Sequence, residues 1–286
     1  MAVLRQRHGT GVLPAFIGVI FMRGITVGVI GTSSLAIAGR AGLPQNQLVA
    51  ARGLGLIVGP SLLGNAVGRM VWCGESQYGT AALLVAKALC EYAIPRTLSP
   101  PLLYAAFFLL GLSMTVLDTT KNLLVTRVFG DGCSLPLNLY EVIYGTGAMV
   151  APLVSVALPS HAWNVLVSVD LALALAVAGK RRWRGKPRGW KAKVRGPAAS
   201  PRGAGDASCP SRSWSELCEV PQVPRRVLRV GLAFLFVVQA CETAMSAWAF
   251  TFAASDLGLS RATAAMFPMV FYLAFTLMRF VSLLVP

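Results

Sequence analysis

Eight apolar stretches recur along the chain, at about 12–36, 46–68, 79–95, 102–125, 136–158, 162–179, 229–253 and 263–285. Several approach the roughly 20 apolar residues that a helix needs to cross the hydrocarbon core of a bilayer. This feature leaves few folds open. Inside lipid every backbone N–H and C=O must be satisfied within the protein, so only helices and closed barrels span it. A barrel strand alternates apolar and polar residues with period two, and these runs do not alternate. The expected fold is all-α, a polytopic transmembrane helix bundle of about eight helices. Charge agrees: Asp, Glu, Lys and Arg make up 13% of the residues, about half the share in soluble domains. Arg5 and Arg7 precede the first stretch as they would precede a signal peptide. That stretch is too long for a signal core and has no clear cleavage site, so it reads as a retained first helix.

Six stretches precede residue 180, about 50 polar residues follow, and two more stretches come after. The expected organisation is a six-helix bundle over 1–179, a basic linker over 180–227 and a further helix pair over 228–286. The segment 180–202 holds ten basic residues and no acidic one, and most of the formal net charge of +15 arises there. Positive loops stay on the cytoplasmic side. This places the 180–227 loop inside, and the N-terminus, six helices away, inside as well. Arg69 and Arg127 fall on the same side, whereas Arg40, Arg52 and Arg96 fall near the outer face.

A charge at bilayer depth costs at least about 2.5–3.5 kcal/mol, so those within the stretches need a reason. Arg23 lies in the first stretch. The fourth carries Asp118, Lys121 and Asn122 within "LDTTKN". On a helix Asp118 neighbours both Lys121 and Asn122, at i+3 and i+4. Such a face suits either the polar wall of a solute or ion pathway or a structural ion pair close to the cytoplasmic surface. Glu141, with Tyr140 and Tyr144, lies in the fifth stretch ahead of Gly145, Gly147 and Pro152, which can loosen a helix or serve close packing. Glu242 and Trp248 lie in the seventh. Lys87 and Glu91 read foremost as a structural i,i+4 pair, and Asp170 as a packing or interfacial residue. Gly24 with Gly28, Gly55 with Gly59 and Gly64 with Gly68 form GxxxG pairs. Such pairs let a neighbouring backbone approach closely.

The basic loop interleaves Trp183 and Trp190 with cations. Beside a membrane, anionic lipid headgroups are a better partner for it than nucleic acid. The six cysteines form no CxxC pair and there are only two histidines, His8 and His161. The sequence therefore implies neither a resident metal nor a cofactor. A membrane enzyme is disfavoured, since no His-based dyad, clustered loop carboxylates or phosphate-cradling glycine loop is present.

"ARGLGLIVGPSLLGNAVGR" at 51–69 resembles the second helix and following loop motif of major facilitator superfamily transporters. "FFLLGLSMTVLDTTKNLLV" at 107–125, "YEVIYGTGAMVAPLV" at 140–154, "ETAMSAWAFTFA" at 242–253 and "FPMVFYLAFTLMRFVS" at 267–282 resemble helices four, five, seven and eight. The branch they resemble is the sodium-dependent glucose transporter-like and fucose permease-like one. The resemblance covers most of the chain outside the central loop. It implies helical bundles around a central cavity lined by helices one, four and seven, among others. It also implies alternating-access transport of a small polar solute such as a hexose, with sodium or a proton as coupling ion. The implied solute-binding residues are Arg23, Asp118, Asn122, Glu141, Tyr144, Glu242 and Trp248. Gly64 and Arg69 fall in the implied gating motif, and the implied location is the plasma membrane. Three departures accompany the likeness. Gly68 stands where the loop motif carries an acid. Met278 stands where the branch has glycine before the arginine. The sequence ends at Pro286 after the eighth stretch, so helices nine to twelve have no counterpart. The alternative expectation is a truncated, transport-inactive relative or gene fragment, acting at most as a membrane scaffold or partner subunit.

Overall fold

The computed structural model describes residues 13–73, 76–129, 132–158, 161–179 and 224–284. Among these residues the fold is all-helical, with no strand. The helices are α1 (Leu13–Arg40), α2 (Gln45–Cys73), α3 (Ser76–Ala93), α4 (Pro100–Phe129), α5 (Ser134–Ala157), α6 (Ala162–Ala178), α7 (Arg225–Thr251) and α8 (Arg261–Leu284). A single wider turn, Phe252–Asp256, continues α7. Its signature is the Leu257 N–H donating to the Phe252 carbonyl at 3.1 Å.

The helices mostly outrun the apolar stretches because hydropathy marks only the lipid-facing middle. The ends are set by backbone chemistry instead. Gly42, at φ 66°, turns the chain after α1, a conformation that side chains with a Cβ resist. Pro95 follows α3, and proline disfavours helical geometry in the residue before it. Pro100 and Pro101 open α4, where the missing N–H groups would have no partner in any case.

Five helices are long and apolar enough to cross a membrane: α1, α4, α5, α7 and α8, while α6 is a shorter apolar helix. Burial supports this reading of the solvent. Ile57 is 68% exposed and Phe236 71%, whereas Lys87, Glu91, Lys121 and Asp170 are buried. A chain in water would place these groups the other way round. The fold is that of an integral, multi-pass membrane protein.

Glycines set the helix pairing. α1 packs on α5 and α2 on α4, with α3 against α6 and α4. A Cβ at Gly24 would overlap the Tyr144 carbonyl, and one at Gly28 would overlap the Ala151 side chain. Gly55 and Gly59 meet Phe108 and Thr115 of α4 in the same way. The two GxxxG pairs are therefore contact surfaces. α5 runs unbroken through Pro152, which favours close packing, one of the two readings of this segment, over loosening. Gly147 packs on the Phe21 carbonyl and Gly145 on Thr276 of α8. α7 joins the bundle through α1, and α8 through α5.

Candidate functional site

α1, α4 and α5 each bring ionic groups to the middle of the bundle. Arg23 Nη1 lies 3.2 Å from Asp118 Oδ1. Lys121 Nζ lies 2.8 Å from the same oxygen, one turn along α4, and 3.3 Å from Glu141 Oε1 on α5. Both carboxylates are half-buried, while the Lys121 side chain is enclosed. Lys121 thus bridges two acids on different helices. The Arg23 guanidinium also sits over the Tyr144 ring, 4.9 Å from its centre, within cation–π range.

α7 enters through Glu242, whose Oε1 accepts the Tyr144 hydroxyl at 2.7 Å. Tyr144 meets Tyr272 of α8 edge to face, with centroids 6.3 Å apart. Arg52 of α2 is buried, within electrostatic reach of Tyr144, Tyr272, Arg23 and Glu242. Arg23, Arg52 and Lys121 therefore match Asp118, Glu141 and Glu242 in formal charge. One narrow pocket opens beside the network, lined by Phe16, Arg23, Lys87, Met114, Asp118 and Lys121 among others. Its volume of about 10 Å³ admits roughly one water.

Of the expected residues, Arg23, Asp118, Glu141, Tyr144 and Glu242 form this one connected network. Asn122 does not join it: its side chain faces outward on α4, although Asp118 is one turn away. Trp248, 39% exposed, lies outside the network near the end of α7. Gly64 and Arg69 fall within α2, but their surroundings lie outside the described part, as do Arg5, Arg7 and the basic loop.

A second ionic cluster joins α3, α6 and α1. Lys87 Nζ lies 2.8 Å from Glu91 Oε1 and is paired as closely with Asp170 Oδ2. The Thr26 hydroxyl lies 2.8 Å from Glu91 Oε1. Asp170, expected to be a packing or an interfacial residue, is fully buried, as the first of these requires. The sequence did carry a signal, because Asp170 is the sole charge of α6 and a lone intramembrane carboxylate needs a partner. The neutral pairing of Lys87 with Glu91 concealed that need. Arg52, seven residues inside α2, is buried, and its reach to the network was not read from the sequence. At 1.5 Å per residue, seven residues are already about 10 Å along the helix.

Three comparisons with known proteins found no matching family model, no matching curated protein and no matching solved structure.

Proposed function

We propose that the chain is a secondary transporter, active or facilitative, that moves a small polar solute, a hexose in the leading case, across its membrane by alternating access. The observation that carries this reading is the network Asp118–Arg23–Tyr144–Glu242. It gathers ionic and hydroxyl groups from α1, α4, α5 and α7 inside a bundle with an apolar exterior. Intramembrane charges weaken insertion, and buried ion pairs are poor substitutes for apolar packing. A bundle that needed only stability would do better with leucine at these positions.

The chemistry suits a hydroxyl-rich solute. Carboxylates accept from hydroxyls, guanidinium and ammonium donate to them, and tyrosine does both. The site admits about one water in this conformation, so a solute needs α7 and α8 to move away from α1 and α5. On this reading the structure is an occluded state. Asp118 or Glu242 would hold the coupling ion, and the major facilitator arrangement would supply the rocking motion. The same reading takes all eight helices as crossings, the N-terminus and basic loop as cytoplasmic, and the plasma membrane as the location. It assigns no enzymatic step.

The test is uptake of labelled hexoses and other small polar solutes into proteoliposomes carrying the full chain. Wild type should transport at least one of them. Asp118→Asn, inserted to the same level, should abolish that transport or uncouple it from the ion gradient. Wild-type uptake that Asp118→Asn leaves unchanged would make Asp118 structural and overturn the assignment.

A further inference from the structure

The Lys87 cluster differs from the network in one respect: its charges do not balance. Glu91 and Asp170 are fully buried, and Lys87 is 1% exposed. Two carboxylates therefore face one ammonium. Among the described residues the charged groups in contact with this cluster's ammonium are Glu91 and Asp170. The other groups nearby leave the excess in place. Thr26 and the Cys90 thiol are uncharged. Across the water-sized pocket, α1 and α4 present Arg23, Asp118 and Lys121, which are paired among themselves and with Glu141.

Hydrogen bonding shows the same deficit. Lys87 takes one oxygen of each acid. Among the described residues Glu91 Oε2 and Asp170 Oδ1 are buried with no partner, and both carboxyl groups meet on the one Lys87 ammonium. Two carboxylates gathered on one ammonium repel each other. One hydrogen between the groups would turn that repulsion into a bond, as when paired carboxylates share a site.

We propose that Glu91 and Asp170 share a single proton, so that α3 and α6 enclose a proton-binding site anchored on Lys87. A metal cation fits less well, because the Lys87 ammonium already holds the position between the two acids where such an ion would sit. The pocket that Lys87 lines continues to Arg23 and Asp118, so one water there would link the proton to the main network. The site stands on the α3–α6 geometry and does not require that the chain carry a sugar.

The test is infrared absorption of the full chain in lipid nanodiscs at neutral pH. The C=O stretch of a protonated carboxyl is separate from carboxylate and amide bands, and it shifts in D2O. Wild type should show this band. Glu91→Gln and Asp170→Asn should each lose it, because the remaining carboxylate keeps Lys87 as its partner and ionises. Should one variant fail to fold, the other and the wild-type spectrum still decide. Absence of the band in wild type would overturn the proposal, as would a band that survives in either folded variant. Replacing choline with sodium in the buffer should leave the band intact. Its loss on adding sodium would make the site one for a metal cation.

Discussion

Gly24→Ala tests the α1–α5 contact that positions Arg23 against Tyr144. The new Cβ would meet the Tyr144 carbonyl oxygen, with Ala148 N at 2.8 Å and Gly147 C at 3.1 Å. All three are backbone atoms of α5, so no rotamer change relieves the overlap and the helices must separate. A gap of about 0.5–1 Å forfeits roughly a quarter to a half of each neighbouring dispersion contact. Overpacking of this kind typically costs about 1–3 kcal/mol. Alanine also stabilises a helix interior by about 0.5–1 kcal/mol relative to glycine, which would mask part of the loss. Gly53→Ala supplies the correction, since a Cβ there meets nothing within 4 Å. The difference between the two variants therefore isolates the contact term, about 1–3 kcal/mol. Reversible unfolding in mixed lipid–detergent micelles, followed by far-UV circular dichroism, reads it directly. Equal stability of the two variants would show that α1 and α5 do not pack face to face at Gly24.

Lys87→Met should destabilise the fold by about 3–5 kcal/mol, because it strands buried carboxylates without their cation; the same unfolding assay measures this. Changing Lys87, Glu91 and Asp170 together to apolar residues of similar volume should recover most of the loss. In uptake assays Tyr144→Phe removes the hydrogen bond to a charged acceptor, worth about 1.5–3 kcal/mol, and should slow transport at least tenfold. Trp248→Ala, outside the network, should change transport less than threefold.

The helical class and the order of the helices were legible in the sequence because apolar stretches of bilayer length admit few other folds. The four charged members of the network, Arg23, Asp118, Glu141 and Glu242, could be picked out for a related reason: a charge in an apolar stretch must turn inward, wherever its partner lies. What could not be read was rotation about each helix axis. Asn122 is one turn from Asp118 yet faces outward, because α4 presents its Asp118–Lys121 edge, not the Asn122 edge, to α1 and α5. Partner choice was equally hidden. Glu91 and Lys87 satisfy each other locally, so nothing in α3 announces Asp170 on α6. Gly145, Gly147 and Pro152 carried two meanings at the sequence level, and the carbonyl of Phe21 and the side chain of Thr276 decide for packing.

Ligand-dependent melting of the purified chain in nanodiscs tests most directly whether a solute binds at the Arg23–Asp118–Tyr144–Glu242 network. A hexose that binds the folded chain at about 100 times its Kd adds about 2.7 kcal/mol of stability. That should appear as a clear rise in Tm. The rise should occur in wild type and vanish in Asp118→Asn and Glu242→Gln, while Trp248→Ala keeps it. A hexose that raises the Tm of all four proteins equally would place the binding site elsewhere and contradict the account.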